Sequence, residues 1–455
     1  MKKFLCMFLV LLFVVPAFAQ KKQIEDVKYR RSSLHLVLVT TDEPILKETE
    51  VMRSWANYPF PDKYDKLSVN LVNFPAGKPS VSFLEFATNV AKGVTPLPTT
   101  IAGLKKLKED TDGKADLEAL KGKIEAKIAE EKLAHQLLEQ WFNIKPDGSC
   151  NMELIQERGR YNATELEALE ADKTTRGKAI LADAGMELIP NTFIQFCKLD
   201  FYENEPIAKF FLMITKALAP LVPGGDMAVA AAEIAYNAAK TGYSARTQAL
   251  LYKLKWNEEI MNEFYSCWDE KIDNKLDYAK FQAIPFEMEF VGADVSSSTT
   301  SDSKAAAKAV FGIPGKANSE EQNEVNEKLI DKTVVRNIDK LFTKMQANYE
   351  VFRPKFPVIT NPPLTAQFGM KEGLKGGESF ELLETSWNEK LQKREYKRVG
   401  IVKVDKKQVW DNRYNAGEEP ENVMIDKKTG EPIMATLLSK SKVAYPGMLL
   451  RQMKK

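Results

Sequence analysis

The chain has 455 residues, 44% of them hydrophobic and 28% charged, with 65 Lys and Arg against 63 Asp and Glu. So balanced a charge excludes the overall basic field that a nucleic-acid binder carries, while the apolar content suffices for packed cores. Two histidines and four cysteines leave few side chains for a zinc site or for imidazole-based catalysis.

Residues 1–19 read as a secretory leader. Lys2 and Lys3 begin it, Phe4 to Val15 is a twelve-residue apolar run, and Ala17-Phe18-Ala19 is a small-x-small cleavage site. Twelve residues at about 1.5 Å each fall short of an apolar bilayer core of about 30 Å. Cys6 lies inside the run and not at the cleavage point, so no lipid anchor is expected. Loss of Lys2 and Lys3 leaves 63 basic and 63 acidic residues, and the expected location is the periplasm or the periplasmic face of an outer membrane. Cys150, Cys197 and Cys267 remain; they fit either buried apolar positions or one disulfide with a thiol left over.

In chain order, "SSLHLVLV" (32–39) and "KLSVNLVNF" (66–74) carry strand character. Residues 102–143 repeat apolar positions at steps of three and four, from Leu117 to Trp141, and read as an amphipathic helical insertion ended by the turn "KPDGS". A short strand at 152–156, a helix over 164–189 stopped by Pro190, and a strand over 191–202 follow. Residues 204–242 read as a second insertion, a helical hairpin broken at "PLVPGG". Strands then run from Tyr243 and over 286–295, with the helix "NEEIMNEFYSCWDEK" between them.

The small, polar "SSSTTSDSKAAA" heads an expected linker over 296–318. After it comes a long amphipathic helix (319–353) striped by Val334, Ile338, Leu341, Phe342, Met345 and Tyr349. From 354 to 455 the runs are short and turn-separated, as in a small β-barrel or sandwich. The expected fold is therefore α+β: a mixed α/β body (20–295) with helical insertions, joined through the long helix to a β-rich module.

Candidate chemistry is sparse. "KEGLKGGESFELLE" (371–384) places its lysine before the paired glycines, with strand-like alternation after them. It reads as a turn into a strand, not a phosphate loop. "GIPGKANS" has its glycines too close together for that loop, and "EDTDGKADLE" has Gly113 fourth where a calcium loop wants it sixth. No metal ligand set, cofactor site or catalytic residue is assigned. Trp387, Trp410 and Tyr414 are candidate sugar-stacking aromatics, and a carboxylate pair for glycan hydrolysis stays open. The basic run "QKREYKRVGIVKVDKK" fits lysines that blunt a strand edge. Phe210, Phe211, Leu212, Ile214 and Leu218 in the 204–242 hairpin are the candidate surface for docking on an envelope protein or a membrane leaflet, with Lys209 and Lys216 reaching for headgroups.

The segments "ERGRYNATELE", "RGKAILADAGMELIPNTF", "YKLKWNEE", "VITNPPLTAQFGMKEGLKGGESFELLE", "YKRVGIVKV" and "VWDNRYNA" together resemble a family of functionally uncharacterised, exported Bacteroidota cell-envelope proteins. That resemblance implies an envelope location and brings no catalytic residue with it. A shorter similarity is to curli-secretion-pore-like envelope proteins, from which the chain departs at Gly376-Gly377-Glu378. The resulting expectation is a non-catalytic envelope protein for assembly, docking or adhesion; a glycan hydrolase and a carbohydrate-binding module are the alternatives.

Overall fold

The structure is a computed structural model, and it describes residues 32–42, 44–60, 64–66, 71, 73–76, 83–100, 103, 114–151, 187, 189–268, 275–301, 319–388, 393–413, 430 and 434–453. The fold is α+β, built on two six-stranded sheets. The first has the order β2-β1-β4-β5-β6, with β3 also paired to β1. Its strands are β1 (Ser32–Thr40), β2 (Tyr64–Lys66), β3 (Asn73–Pro75), β4 (Thr192–Glu203), β5 (Tyr243–Leu254) and β6 (Met288–Thr300). β2, β3 and β4 all pair parallel to β1, whereas β5 and β6 add on antiparallel.

Alternation along these strands sends successive side chains to opposite faces, and both faces are covered. Val37, Ile194, Phe196, Leu250 and Tyr252 face one core, closed by helices α3 (Lys114–Glu130), α4 (Leu133–Phe142), α7 (Glu258–Tyr265) and α8 (Tyr278–Ala283). Leu34, Leu38, Phe193, Cys197 and Leu251 face the other, under α1 (Glu48–Ala56) and the long α9 (Ser319–Asn348). The striping residues Val334, Ile338, Leu341, Phe342 and Met345 of α9 are all buried there.

Three expectations are corrected. Residues 102–143 are not an insertion: their described helices form a principal cover of the sheet, with Leu137, Leu138, Trp141 and Phe142 fully buried. A parallel β1–β4 pair requires a crossover, and its helical cover belongs to the body. The cover is also two helices rather than one, because Lys132 takes a left-handed φ of 49° between α3 and α4. Residues 296–300 are not linker but the end of β6. Ser296 and Ser298 donate to the carbonyls of Asn337 and Thr333, at 3.0 and 2.8 Å. The small hydroxyls let α9 lie close on the strand, and polar residues on both faces hide the alternation. α9 packs on the body through its stripe from Leu329 to Met345 before the chain enters β7.

Of the expected 66–74 strand, the described residues hold only the short β2 and β3. The strand at 152–156 and nearly all of the helix over 164–189 lie outside the described residues, as does the linker beyond 301.

The second sheet has the order β10-β9-β12-β7-β8-β11, from β7 (Lys355–Thr360), β8 (Thr365–Ala366), β9 (Ser379–Asn388), β10 (Lys393–Lys403), β11 (Thr436–Leu437) and β12 (Leu449–Gln452). All its pairings are antiparallel. Among the described residues no closed barrel is found: the two ends of the sheet meet at an isolated bridge between Val404 and Leu438, beside which the Leu437 N–H donates to the Gln408 carbonyl at 3.0 Å. β10 is the end strand, so the basic run lies on an edge, where lysines discourage further pairing.

Candidate functional site

The helical hairpin 204–242 is inserted into the β4–β5 connection. Glu203 and Tyr243 are the last cross-strand pair, and between them run α5 (Asn204–Leu218), a single 3-10 turn and α6 (Gly225–Ala239). Buried Asn204 ties the insertion to the sheet. Its Nδ2 donates to the carbonyls of Thr241 and Thr300, at 2.9 and 2.8 Å, and its Oδ1 accepts from Ser244 at 2.7 Å. Gly242, at φ 92°, lets the returning chain pass the Thr300 carbonyl, which an added Cβ would meet at 2.1 Å. Asn204→Ala removes three hydrogen bonds and leaves the Thr241 and Thr300 carbonyls without their amide donor, while Ser244 keeps Thr299 at 2.9 Å; denaturant titration is expected to show a loss of about 2 kcal/mol.

Phe210 points inward, packing edge-on against Phe86 of α2 (Phe83–Ala91) at 6.0 Å between ring centroids, with Ala87 and Val90 beside it. Ile214 joins this small satellite core, and Leu212 and Leu218 are half-buried. Phe211 is exposed. Toward the far end, Leu221, Val222, Met227 and Ile234 are between 53% and 80% exposed. From Ala217 to Ala232 the only charged residue is Asp226. Lys216 does not reach outward for headgroups: its Nζ meets Glu233 on α6 at 2.8 Å. With the Tyr236 hydroxyl bond to Glu205 at 3.2 Å, that pair holds the two helices together. Gly225 makes the tight return, where a Cβ would meet the Ala219 carbonyl at 2.0 Å. The hairpin is thus seated at its base and presents an apolar, nearly uncharged far end.

At the base, Thr41, Glu85, Asn89, Asp200, Glu203 and Pro206 line a cavity of about 310 Å³. It lies at the carboxyl ends of the parallel strands β1 and β4, a common place for ligands in open α/β sheets. Burial pushes the Asp200 carboxyl up, against the opposing pull of Lys198 and Arg246, whose nitrogens lie 3.9 and 3.3 Å away. Asp200 and Arg246 are direct cross-strand partners. This charged trio, with Lys198 buried and Asp200 and Arg246 half-buried, was missed in the sequence, where its signal is a Lys and an Asp two apart on one face of a mostly apolar strand.

The aromatic trio is not brought together. Trp410 is half-buried and bridges Gly369 through its backbone; Trp387 stands opposite Arg394 on the β9–β10 ladder with its side chain outside the described residues, as is all of Tyr414. The paired glycines end the phosphate-loop question. Gly376 and Gly377 take φ of 95° and 92°, and the Glu378 carboxylate accepts from the N–H groups of Lys375 and Gly376 at 3.0 and 2.9 Å. The backbone cradle is filled by the chain's own anion, and β9 follows. The three described cysteines are free and buried; burial raises the thiols of Cys150 and Cys197 to about 11 and about 12, which keeps both protonated at neutral pH. His35 Nε2 sits 2.8 Å from the Leu71 carbonyl. Among the described residues no cluster has a metal-binding donor set, and no helix is long and apolar enough to cross a membrane. No protein-family model matches the chain, and no curated protein matches it.

Proposed function

We propose that the chain is an exported docking protein of the cell envelope, non-catalytic, held at the periplasmic face of the outer membrane by the 204–242 hairpin resting on a lipid leaflet. The observation that carries this reading is the exposure of Leu221, Val222, Met227 and Ile234 on an insertion that the sheet does not need for closure. An exposed, alanine-rich tip suits a fluid leaflet, which moulds to it; a protein partner would have to supply a matching pocket. Four large apolar side chains at about 1.5–3 kcal/mol each bound the gross gain near that of a single acyl anchor, so attachment is reversible. Lys209, Lys216 and Lys240 balance Glu205, Asp226 and Glu233, so binding should depend little on lipid charge or salt.

Co-sedimentation with phosphatidylcholine vesicles tests this. The wild-type protein is expected to pellet with vesicles, and the quadruple serine variant at Leu221, Val222, Met227 and Ile234 to lose at least about tenfold in affinity. Those positions are exposed, so folding is retained. A second variant joins Glu203 to Tyr243 through Asn-Gly, a two-residue turn suited to a β-hairpin. Vesicle binding that survives both changes would end the proposal.

The rival hydrolase reading has one observation in its favour, the shared cavity of Glu85, Asp200 and Glu203. Asp200 is already engaged by Arg246 there, and a glycan turnover abolished by Asp200→Asn would revive it.

A further inference from the structure

Three segments far apart in sequence meet at the inner end of β10. The Gly377 N–H donates to the Val404 carbonyl and the Val404 N–H to the Glu378 carbonyl, both at 2.9 Å, which sets the turn before β9 against the end of β10. On the other side the Ser439 N–H donates to the Lys403 carbonyl at 2.7 Å, the Lys403 N–H to the Ser439 hydroxyl at 3.0 Å, and the Asp405 N–H to the Leu437 carbonyl at 2.9 Å. Together these segments carry six exposed lysines: Lys375, Lys403, Lys406, Lys407, Lys440 and Lys442. The paired glycines make room for one of them. A Cβ on Gly376 would meet the Lys406 backbone at 2.7 Å, and one on Gly377 would meet the Lys406 stem at 3.2 Å.

Within 375–378, 403–407 and 439–442 the acidic residues are Glu378 and Asp405, and both are turned to the backbone. Glu378 accepts from the Lys375 and Gly376 N–H groups, and Asp405 from the Lys407 N–H at 2.7 Å. Among the described residues none of the six ammonium groups has an ion-pair partner. Edge protection accounts for lysines along the free part of β10 but not for these. At Lys403 the edge is already occupied by residues 437–439, and both outward backbone groups are bonded. The chain as a whole is nearly balanced, with 65 Lys and Arg against 63 Asp and Glu, so this concentration of one sign is local. An anionic partner would relieve its self-repulsion.

We infer that this surface binds an acidic polysaccharide, a glycan chain carrying carboxylate, sulfate or phosphate groups. It is separate from the 204–242 hairpin and does not depend on it. Lysines present compact, mobile point charges that suit anions spread along a chain, and the nearby Arg398 and Arg451 are already engaged by Glu381. An acidic peptide gains most by adding its backbone to a free strand edge, and at this end of β10 the edge is taken. Single-stranded nucleic acid wants aromatic platforms, whereas the neighbouring Tyr445 is tied through its hydroxyl to Glu384 at 3.2 Å. Ile401 and Val443, 53% and 54% exposed, stand beside Lys403 and Lys442, and the C–H faces of a sugar ring can rest on them.

Heparin is the probe, with uncharged dextran, poly-glutamate and single-stranded DNA as comparisons. The full chain is expected to bind heparin at low salt and to release it as salt rises, to leave dextran unbound, and to bind the other two polyanions at least about tenfold more weakly. Replacing Lys403, Lys406, Lys440 and Lys442 together by Gln should weaken heparin binding at least about tenfold. A control with Gln at Lys92, Lys145, Lys209 and Lys328 removes the same charge elsewhere and should lose less than about twofold. All these positions are exposed, so both variants fold. The inference fails if the wild-type chain does not bind heparin, if the two variants weaken equally, or if poly-glutamate or single-stranded DNA binds as tightly as heparin.

Discussion

Lowering the pH from 7 to 4 is expected to cost the protein about 3 kcal/mol through His135 alone. In the unfolded chain the imidazole titrates near its ordinary value of about 6.5. In the fold, burial first and Lys132 second bring it to about 4. Between those values the unfolded chain binds a proton that the folded chain refuses, so acid pulls the equilibrium toward unfolding. The contribution is fully present above about pH 6.5, falls across the interval and levels off near pH 4. Some 2.5 pH units at about 1.4 kcal/mol per unit give about 3.5 kcal/mol in all, of which about 3 is lost by pH 4, where the folded ring is half protonated. Carboxylates elsewhere in the chain add their own acid dependence. The comparison that isolates His135 is therefore with His135→Phe, which keeps a ring between Phe281 and Phe286. Urea titrations at stepped pH should show the variant losing stability less steeply over this interval. Parallel curves would mean that the imidazole takes up its proton without penalty in the fold.

The elements that were legible in the sequence share a property: one face is apolar and the other is not. β4 and β5 alternate Ile194, Phe196, Leu250 and Tyr252 against Phe193, Cys197 and Leu251, and the α9 stripe repeats at helical steps, so period alone locates them. The 204–242 hairpin was legible because its apolar runs are broken by "PLVPGG", and the structure separates its residues as the sequence could not: Phe210 inward, Phe211 outward. β6 was mistaken for linker past 295 because its partners there are polar. Ser296, Ser298 and Thr300 hydrogen-bond to α9, and such a face has no hydrophobic period to read.

Long-range placement was the other source of error. Nothing local in 102–143 says whether an amphipathic helix covers the main sheet or forms an appendage. That depends on the crossover between β1 and β4, more than 100 residues apart. His135 shows the same limit. In sequence it is a lone histidine on a lysine-rich helix, and its setting comes from Phe281 and Phe286, on a segment about 150 residues away. Asp200 and Arg246 likewise meet only through the β4–β5 register.

Arg353→Met is expected to cost about 3 kcal/mol or more and to uncouple the two sheets. Arg353 is buried just past α9, and its fork joins two parts of the molecule. Nε and Nη2 donate to the carbonyls of Gln346 and Ala347, in the last turn of α9, each at 3.1 Å. Nη1 donates to the Gln452 carbonyl at the end of β12, also at 3.1 Å. A cation here satisfies carbonyls that the helix end leaves without partners and favours the negative end of its dipole. The Phe352 ring beside it stacks on Tyr64 at 5.0 Å and meets Phe193 edge-on at 5.1 Å, so the anchor is fixed in the body's core. Methionine keeps much of the stem's packing but strands three acceptors, each having lost a charge-assisted bond of about 1.5–3 kcal/mol gross. Lysine restores the charge without the planar fork and should recover less than half of the loss. Calorimetry provides the readout: a single wild-type transition should split or broaden in Arg353→Met, with the second sheet melting first. A variant that melts in one transition within about 1 kcal/mol of wild type would show that the Thr343–Lys371 and Asp339–Lys371 contacts hold the joint without it.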